Sequence, residues 1–134
     1  MRVKIILAAA IAAGAASAGE AQQRLPIQPG FYAYEQERCG RADSLFRYDG
    51  RRIGWIRAER QPNEMEPIRR IRRQGRAWQV DIANRDPDPE MNPDGIIPVM
   101  ITPRGQGRIA VEVQEELPMR LCAAAELPRW TRGR

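Results

Sequence analysis

The chain has 134 residues, enough for one domain and too few for two. It holds 22 Lys plus Arg against 17 Asp plus Glu, with no His, and its only lysine is Lys4. That removes the usual general base and imidazole metal ligand everywhere, and any Schiff-base or P-loop lysine beyond residue 4.

The start of the chain reads as an address. Arg2 and Lys4 form a short positive region, Ile5 to Ala16 an apolar run, and Ala16-Ser17-Ala18 the small side chains that a signal peptidase reads. Residues 1–18 are therefore expected to be a cleavable secretory signal peptide of bacterial type, too short and wrongly flanked for a membrane span. A second cut fits after Ala21, and no cysteine near either cut marks a lipid anchor. The expectation is a periplasmic or secreted protein without a membrane span. Cleavage after residue 18 would remove Arg2 and Lys4 and take the formal charge from +5 to +3.

Past the leader, Ser44, Thr102 and Thr131 are the only aliphatic hydroxyls, and none has a His or Lys to activate it. Carboxylates and tyrosines remain as catalysts, so the expectation is a protein that is not an enzyme. No motif calls for a cofactor. Cys39 and Cys122 are the only cysteines, and an even pair in an exported chain reads as a disulfide. It would close a loop of about 84 residues, worth at most about 4.5 kcal/mol on the chain-entropy argument.

Residues 19–29 show no periodicity and read as a flexible lead-in; 30–122 form the β domain and 123–134 a C-terminal tail. Phe31-Tyr32-Ala33-Tyr34 is an aromatic first strand. Ser44 to Tyr48 and Arg51 to Arg57 flank Asp49-Gly50, a hairpin signal. A two-residue turn there would pair Tyr48 with Arg51, Phe46 with Ile53 and Ser44 with Trp55. Phe46, Ile53 and Trp55 then share the core face, while Leu45 and Gly54 lie opposite and Arg47 faces Arg52.

Residues 63–74 admit a helix, with Asn63 and Glu66 as a capping box and Met65, Ile68 and Ile71 stepping by three. A hairpin about Gln74-Gly75 is favoured instead, because Ala77 to Ile82 alternates cleanly and needs a neighbour. It would pair Ile71 with Trp78, turn Trp78, Val80 and Ile82 inward, and leave Ile68 facing outward. Residues 84–95 carry three prolines and form a long loop. Ile96 to Thr102 resumes a strand whose Pro98 asks for an edge or a bulge. Pro103 to Gly107 turns the chain, Arg108 to Val113 and Leu117 to Cys122 follow, and Trp130 packs on a loose tail. About eight strands without room for a βαβ crossover predict an all-β domain, a small antiparallel up-and-down barrel or curved clam. A disulfide from Cys39 to Cys122 would tie first strand to last, where a barrel closes. A two-sheet sandwich is the competing arrangement.

Four constellations invite functional readings. Asp86, Asp88, Glu90, Asn92 and Asp94 alternate like calcium ligands, but Met91 stands where an EF-hand loop needs Gly and Ile97 where it needs Glu, so a solvated loop and no metal site are expected. Arg47 with Arg52, and Arg70 with Arg72, place like charges side by side, which destabilises unless acids or an anionic ligand intervene. These four arginines are the candidate anion- or partner-binding residues. Tyr32, Tyr34, Tyr48, Trp55 and Trp78 serve either as core or as the lining of a ligand cavity. The acids are plentiful, yet no spacing picks out a hydrolytic pair.

In size, strand count and single disulfide the chain resembles the small exported bacterial β-barrels that act as enzyme inhibitors or lipocalin-like binders. The leading expectation is a non-catalytic exported domain that binds an anionic envelope component or a protein, including as an enzyme inhibitor. Nucleic acid is disfavoured by the export signal. A carrier of a small apolar ligand and a weak carboxylate-based hydrolase are the alternatives.

Overall fold

The computed structural model describes residues 24–134, and the expected signal peptide at 1–18 lies outside the described residues. Eight strands follow one another: β1 (Gly30–Tyr34), β2 (Ser44–Tyr48), β3 (Arg52–Arg57), β4 (Met65–Gln74), β5 (Ala77–Ala83), β6 (Ile96–Gly105), β7 (Arg108–Glu112) and β8 (Glu116–Leu121). Each pairs antiparallel with the next, and β8 returns to β1 through Tyr32–Leu121, Ala33–Arg120 and Tyr34–Met119. The result is a closed up-and-down barrel; the clam and sandwich arrangements are set aside. Besides the strands there are single 3₁₀ turns at Cys39–Arg41, Ala124–Glu126 and Arg129–Thr131.

Period-2 patterning builds the interior. Tyr32, Phe46, Ile53, Val80, Ile101 and Val111 are each no more than 1% exposed and belong to one cluster along the barrel axis. Burial of each such side chain stabilises the fold by roughly 1.5–3 kcal/mol. The expected core faces of both hairpins are correct. The registers are not.

Tyr48 pairs with Ile53, not Arg51, and Phe46 with Trp55, not Ile53. The cause is Asp49, whose carboxylate accepts the Arg51 and Arg52 amides at 2.9 and 2.7 Å and so holds a four-residue turn. The slip is two residues, an even number, so every side chain keeps its face. Arg47 consequently lies opposite Gly54, not Arg52.

Residues 65–74 are strand, not helix. Here too the register moves by two, with Ile71 against Val80 and the turn at Gly75-Arg76. Ile68, expected outside, packs on the core, because an irregularity between Ile68 and Arg70 shifts the pairing and turns Ile68 back inward beside Ile82. Pro98 sits opposite Asp81, and β6 pairs with β7 only from Met100 onward, so its other side is locally an edge. The next turn, Gln106-Gly107, has positive φ at both residues (55° and 74°), the geometry of a type I′ hairpin.

Both terminal segments are packed. Residues 24–29 do not form the flexible lead-in expected there: Leu25 is 4% exposed in the interior cluster, and the Tyr32 hydroxyl donates to the Gln28 carbonyl. They close the end of the barrel where β1 begins. The tail is not loose either. A second cluster on the outer wall gathers Ala33, Ala42, Leu45, Ile56 and both cysteines, covered by Leu127 and Trp130. The Trp130 indole donates to the Ala42 carbonyl at 2.9 Å, and Arg134 donates to the carbonyls of Arg57 (2.5 Å) and Ala58 (3.3 Å). Cys39 and Cys122 are bonded, tying the β1–β2 connection to the chain leaving β8 across the closing seam. No helix of the described residues is long and apolar enough to cross a membrane.

Candidate functional site

Among the described residues, one concavity opens on the outer wall and another at a barrel mouth. The outer groove, of about 570 Å³, lies between the wall of β2 and β3, the β3–β4 connection and the end of the tail. Arg47, Arg52, Arg60, Arg85 and Arg134 line it, with Glu64 as its one acid and Ile56 and Met65 as its apolar part. Arg47 and Arg52 therefore do come together, as neighbours around a groove and not as a cross-strand pair.

The five guanidinium groups differ in how far they are engaged. Arg134 bonds Glu64 at 3.2 Å, Arg85 bonds the buried Glu66, and Arg52 bonds Asp49 at 2.8 Å. Arg47 lies over the Phe31 ring at 4.9 Å. Among the described residues, neither Arg47 nor Arg60 has a carboxylate within 4.0 Å. Two guanidinium groups thus remain to meet an anion, and their planar donors suit carboxylate or phosphate oxygens. At the groove's edge, burial opposes ionisation of Asp49. Hydrogen bonds from the Arg51 and Arg52 amides and the Arg52 side chain, with the Arg52 charge, outweigh it and hold the carboxyl below its ordinary value of 3.8.

Arg70 and Arg72 lie elsewhere, on the outer face of β4. Arg70 is directly opposite Asp81, and Arg72 reaches the same carboxylate at 3.9 Å. Asp81 is only 6% exposed and also accepts from Gln79 at 2.9 Å. Asp81, the cross-strand neighbour of Arg70 and the ion-pair partner of Arg72, eases the like-charge conflict on this face.

The second concavity, of about 310 Å³, opens at the mouth where β1 ends and β2 begins. Tyr34 and Trp55 form its wall, stacked with centroids 5.8 Å apart and planes at 22°. Phe46 meets Trp55 edge-on at 5.3 Å from the core side. Ser44, Arg57, Gln114 and Glu115 bring hydrogen-bonding groups to the rim, and Val113 stands 48% exposed on the lip. Of the five aromatics singled out in the sequence, Tyr32 and Tyr48 are core and Trp78 is half-buried against it. Burial pushes the Tyr32 hydroxyl up to about 12, with the neighbouring Tyr48 adding to the effect.

The acidic loop spends its polar groups on its own backbone. Asp88 accepts from Glu90 N at 2.9 Å, and Asn92 and Asp94 both accept from Ile96 N at 3.2 Å. Among the described residues, no group of three or more His, Cys, Asp or Glu side chains is placed to hold a metal ion. Comparison with protein-family models, curated proteins and solved structures finds no match to this chain.

Proposed function

We propose that the protein is an exported, non-catalytic β-barrel that binds an anionic macromolecule through the arginine-lined groove on its outer wall. The observation that carries this reading is the pair Arg47 and Arg60, free of acidic partners among the described residues and facing one concavity with three further arginines. Arginines already matched to acids, such as Arg72 with Asp81, stabilise the fold. Arginines left unmatched around a groove repel one another until an anion enters, which favours binding. The barrel interior is filled by side chains with almost no exposure, which favours a surface ligand over an internal apolar one. Export rests on the leader pattern of residues 1–18.

The partner is an anionic envelope polymer or the acidic surface of a protein, an enzyme under inhibition included. Immobilised poly-glutamate and polyphosphate test the reading, with elution by rising salt. Retention of the oxidised protein, lost in Arg47→Gln with Arg60→Gln at unchanged melting temperature, supports it. Equal retention of both proteins at low salt overturns it.

A further inference from the structure

We infer that the mouth of the barrel at Tyr34 and Trp55 is a second, independent binding site, and that its ligand is a single sugar ring of a glycan. The wall is aromatic and rigid. Tyr34 and Trp55 are stacked on each other, and Phe46 fixes the inner side of Trp55, so the half-buried surface they leave at the opening keeps its shape. The rim is polar: Ser44, Arg57, Gln114 and Glu115 surround that wall. The Ser44 hydroxyl forms no hydrogen bond to another described residue, and neither do the side chains of Gln114 and Glu115. Donors and acceptors of both kinds are therefore free on one side of an apolar surface.

Size and depth narrow the occupant. About 310 Å³ has room for a pyranose ring, and Leu117 and the filled core beneath stop a longer ligand from descending the axis. A fatty chain would leave four rim side chains unpaired, at a cost for each polar group it covered. A simple anion would meet Glu115 as well as Arg57, which cancels the attraction that distinguishes the outer groove. A pyranose ring has one face of C–H groups to lie on an aromatic wall and hydroxyls around its edge to reach the rim, which matches both halves of the site.

The test is a titration of the oxidised protein with free glucose, N-acetylglucosamine and their short oligomers, followed by two-dimensional NMR of the three indole N–H signals. The site predicts saturable shifts at Trp55 alone, with Trp78 and Trp130 unmoved, and a dissociation constant on the order of a few mM for one ring. Ser44→Ala with Gln114→Ala should weaken binding by about fivefold without altering the melting temperature. Tyr34→Leu, which keeps the site apolar, should abolish it. No shift at Trp55 with any sugar overturns the inference, as does a shift that survives Tyr34→Leu unchanged. Glucuronate separates this site from the groove: shifts lost in Arg47→Gln with Arg60→Gln but kept in Tyr34→Leu belong to the outer wall and count against the mouth.

Discussion

The carbonyl oxygen of Glu64 lies against Gly54 so closely that a Cβ on Gly54 would come within 1.8 Å of it. The chain entering β4 thus folds closely over the outer side of β3 at the one position in that strand without a side chain, and Glu64 there also lines the arginine groove. Replacement by Ala forces backbone apart from backbone, because no flexible side chain stands between them. Gly54→Ala should cost at least about 3 kcal/mol and displace Glu64 from Arg134. Urea denaturation reads the first effect. If Gly54→Ala unfolds at the wild-type midpoint, Glu64 does not lie against Gly54 where the structure places it.

The tail makes a second layer over the barrel, and Trp130 anchors it. Leu45 and Ile56 point away from the interior, yet they are 0% and 2% exposed because Leu127 and Trp130 cover them. Trp130→Ala should destabilise the protein by about 2–3 kcal/mol, less than a fully buried Trp because this one is half-buried. Trp130→Phe keeps most of the apolar contact but loses the bond to Ala42, and should cost only about 1 kcal/mol. Equal losses for the two variants would mean that the indole N–H, not the covered surface, dominates.

The disulfide reinforces the seam between β1 and β8, where only three residue pairs are in register. Cys39→Ser with Cys122→Ser should lower the free energy of unfolding by up to about 4 kcal/mol. Leaving the β4–β5 hairpin farthest from the seam intact, the loss should show as faster amide exchange first in β1 and β8. Uniform acceleration across all eight strands would mean the bridge acts through the unfolded chain alone.

Much of this fold was legible in the residues because alternation survives even-numbered errors. Asp49-Gly50 points to a two-residue turn where the structure has four, since a carboxylate accepting two amides is not visible in an Asp-Gly pair. Phe46, Ile53 and Trp55 still pointed inward. Ile68 is not legible as a core residue, because a shift of pairing inside a strand breaks the rhythm that would locate it. The second layer has a signal in the residues: apolar Leu45 lies opposite the core face, and alternation from Ile53 and Trp55 puts apolar Ile56 on that same side. For the candidate groove, Arg47 and Arg52 were visible, while Arg60, Arg85 and Arg134 were not. They come from a connection, a long loop and the tail, whose paths local patterning does not determine.

Asp49 makes the first hairpin sensitive to acid. Its folded carboxyl titrates below 3.8, so the ionised form is bound more tightly in the folded protein than in the unfolded chain. Its contribution is therefore complete above 3.8 and is lost as the pH falls through the lower folded value. Asp49→Asn should lower stability at neutral pH and flatten the acid limb of the stability curve, as followed by urea midpoints. A variant whose acid limb keeps the wild-type slope would show that the turn is not held by the charged carboxylate.

Tyr32 gives the opposite dependence at the other end of the pH range. Burial raises its hydroxyl from 10.0 to about 12, so the folded protein holds that proton more tightly than the unfolded chain does. Its contribution is full below 10.0 and is lost as the pH climbs toward 12, where ionisation would place a charge beside Leu25 and the Gln28 carbonyl at the closed end of the barrel. Tyr48, also raised chiefly by burial, adds to the same decline. Tyr32→Phe should lose about 1 kcal/mol at neutral pH with its hydrogen bond, and then fall less steeply than wild type in alkali. Protection of the Leu25, Ile27 and Gln28 amides, taken relative to the base-catalysed intrinsic rate, should fall in wild type over that interval and hold in the variant. Parallel alkaline curves for the two proteins would place the sensitive group somewhere other than beneath the segment that closes the barrel.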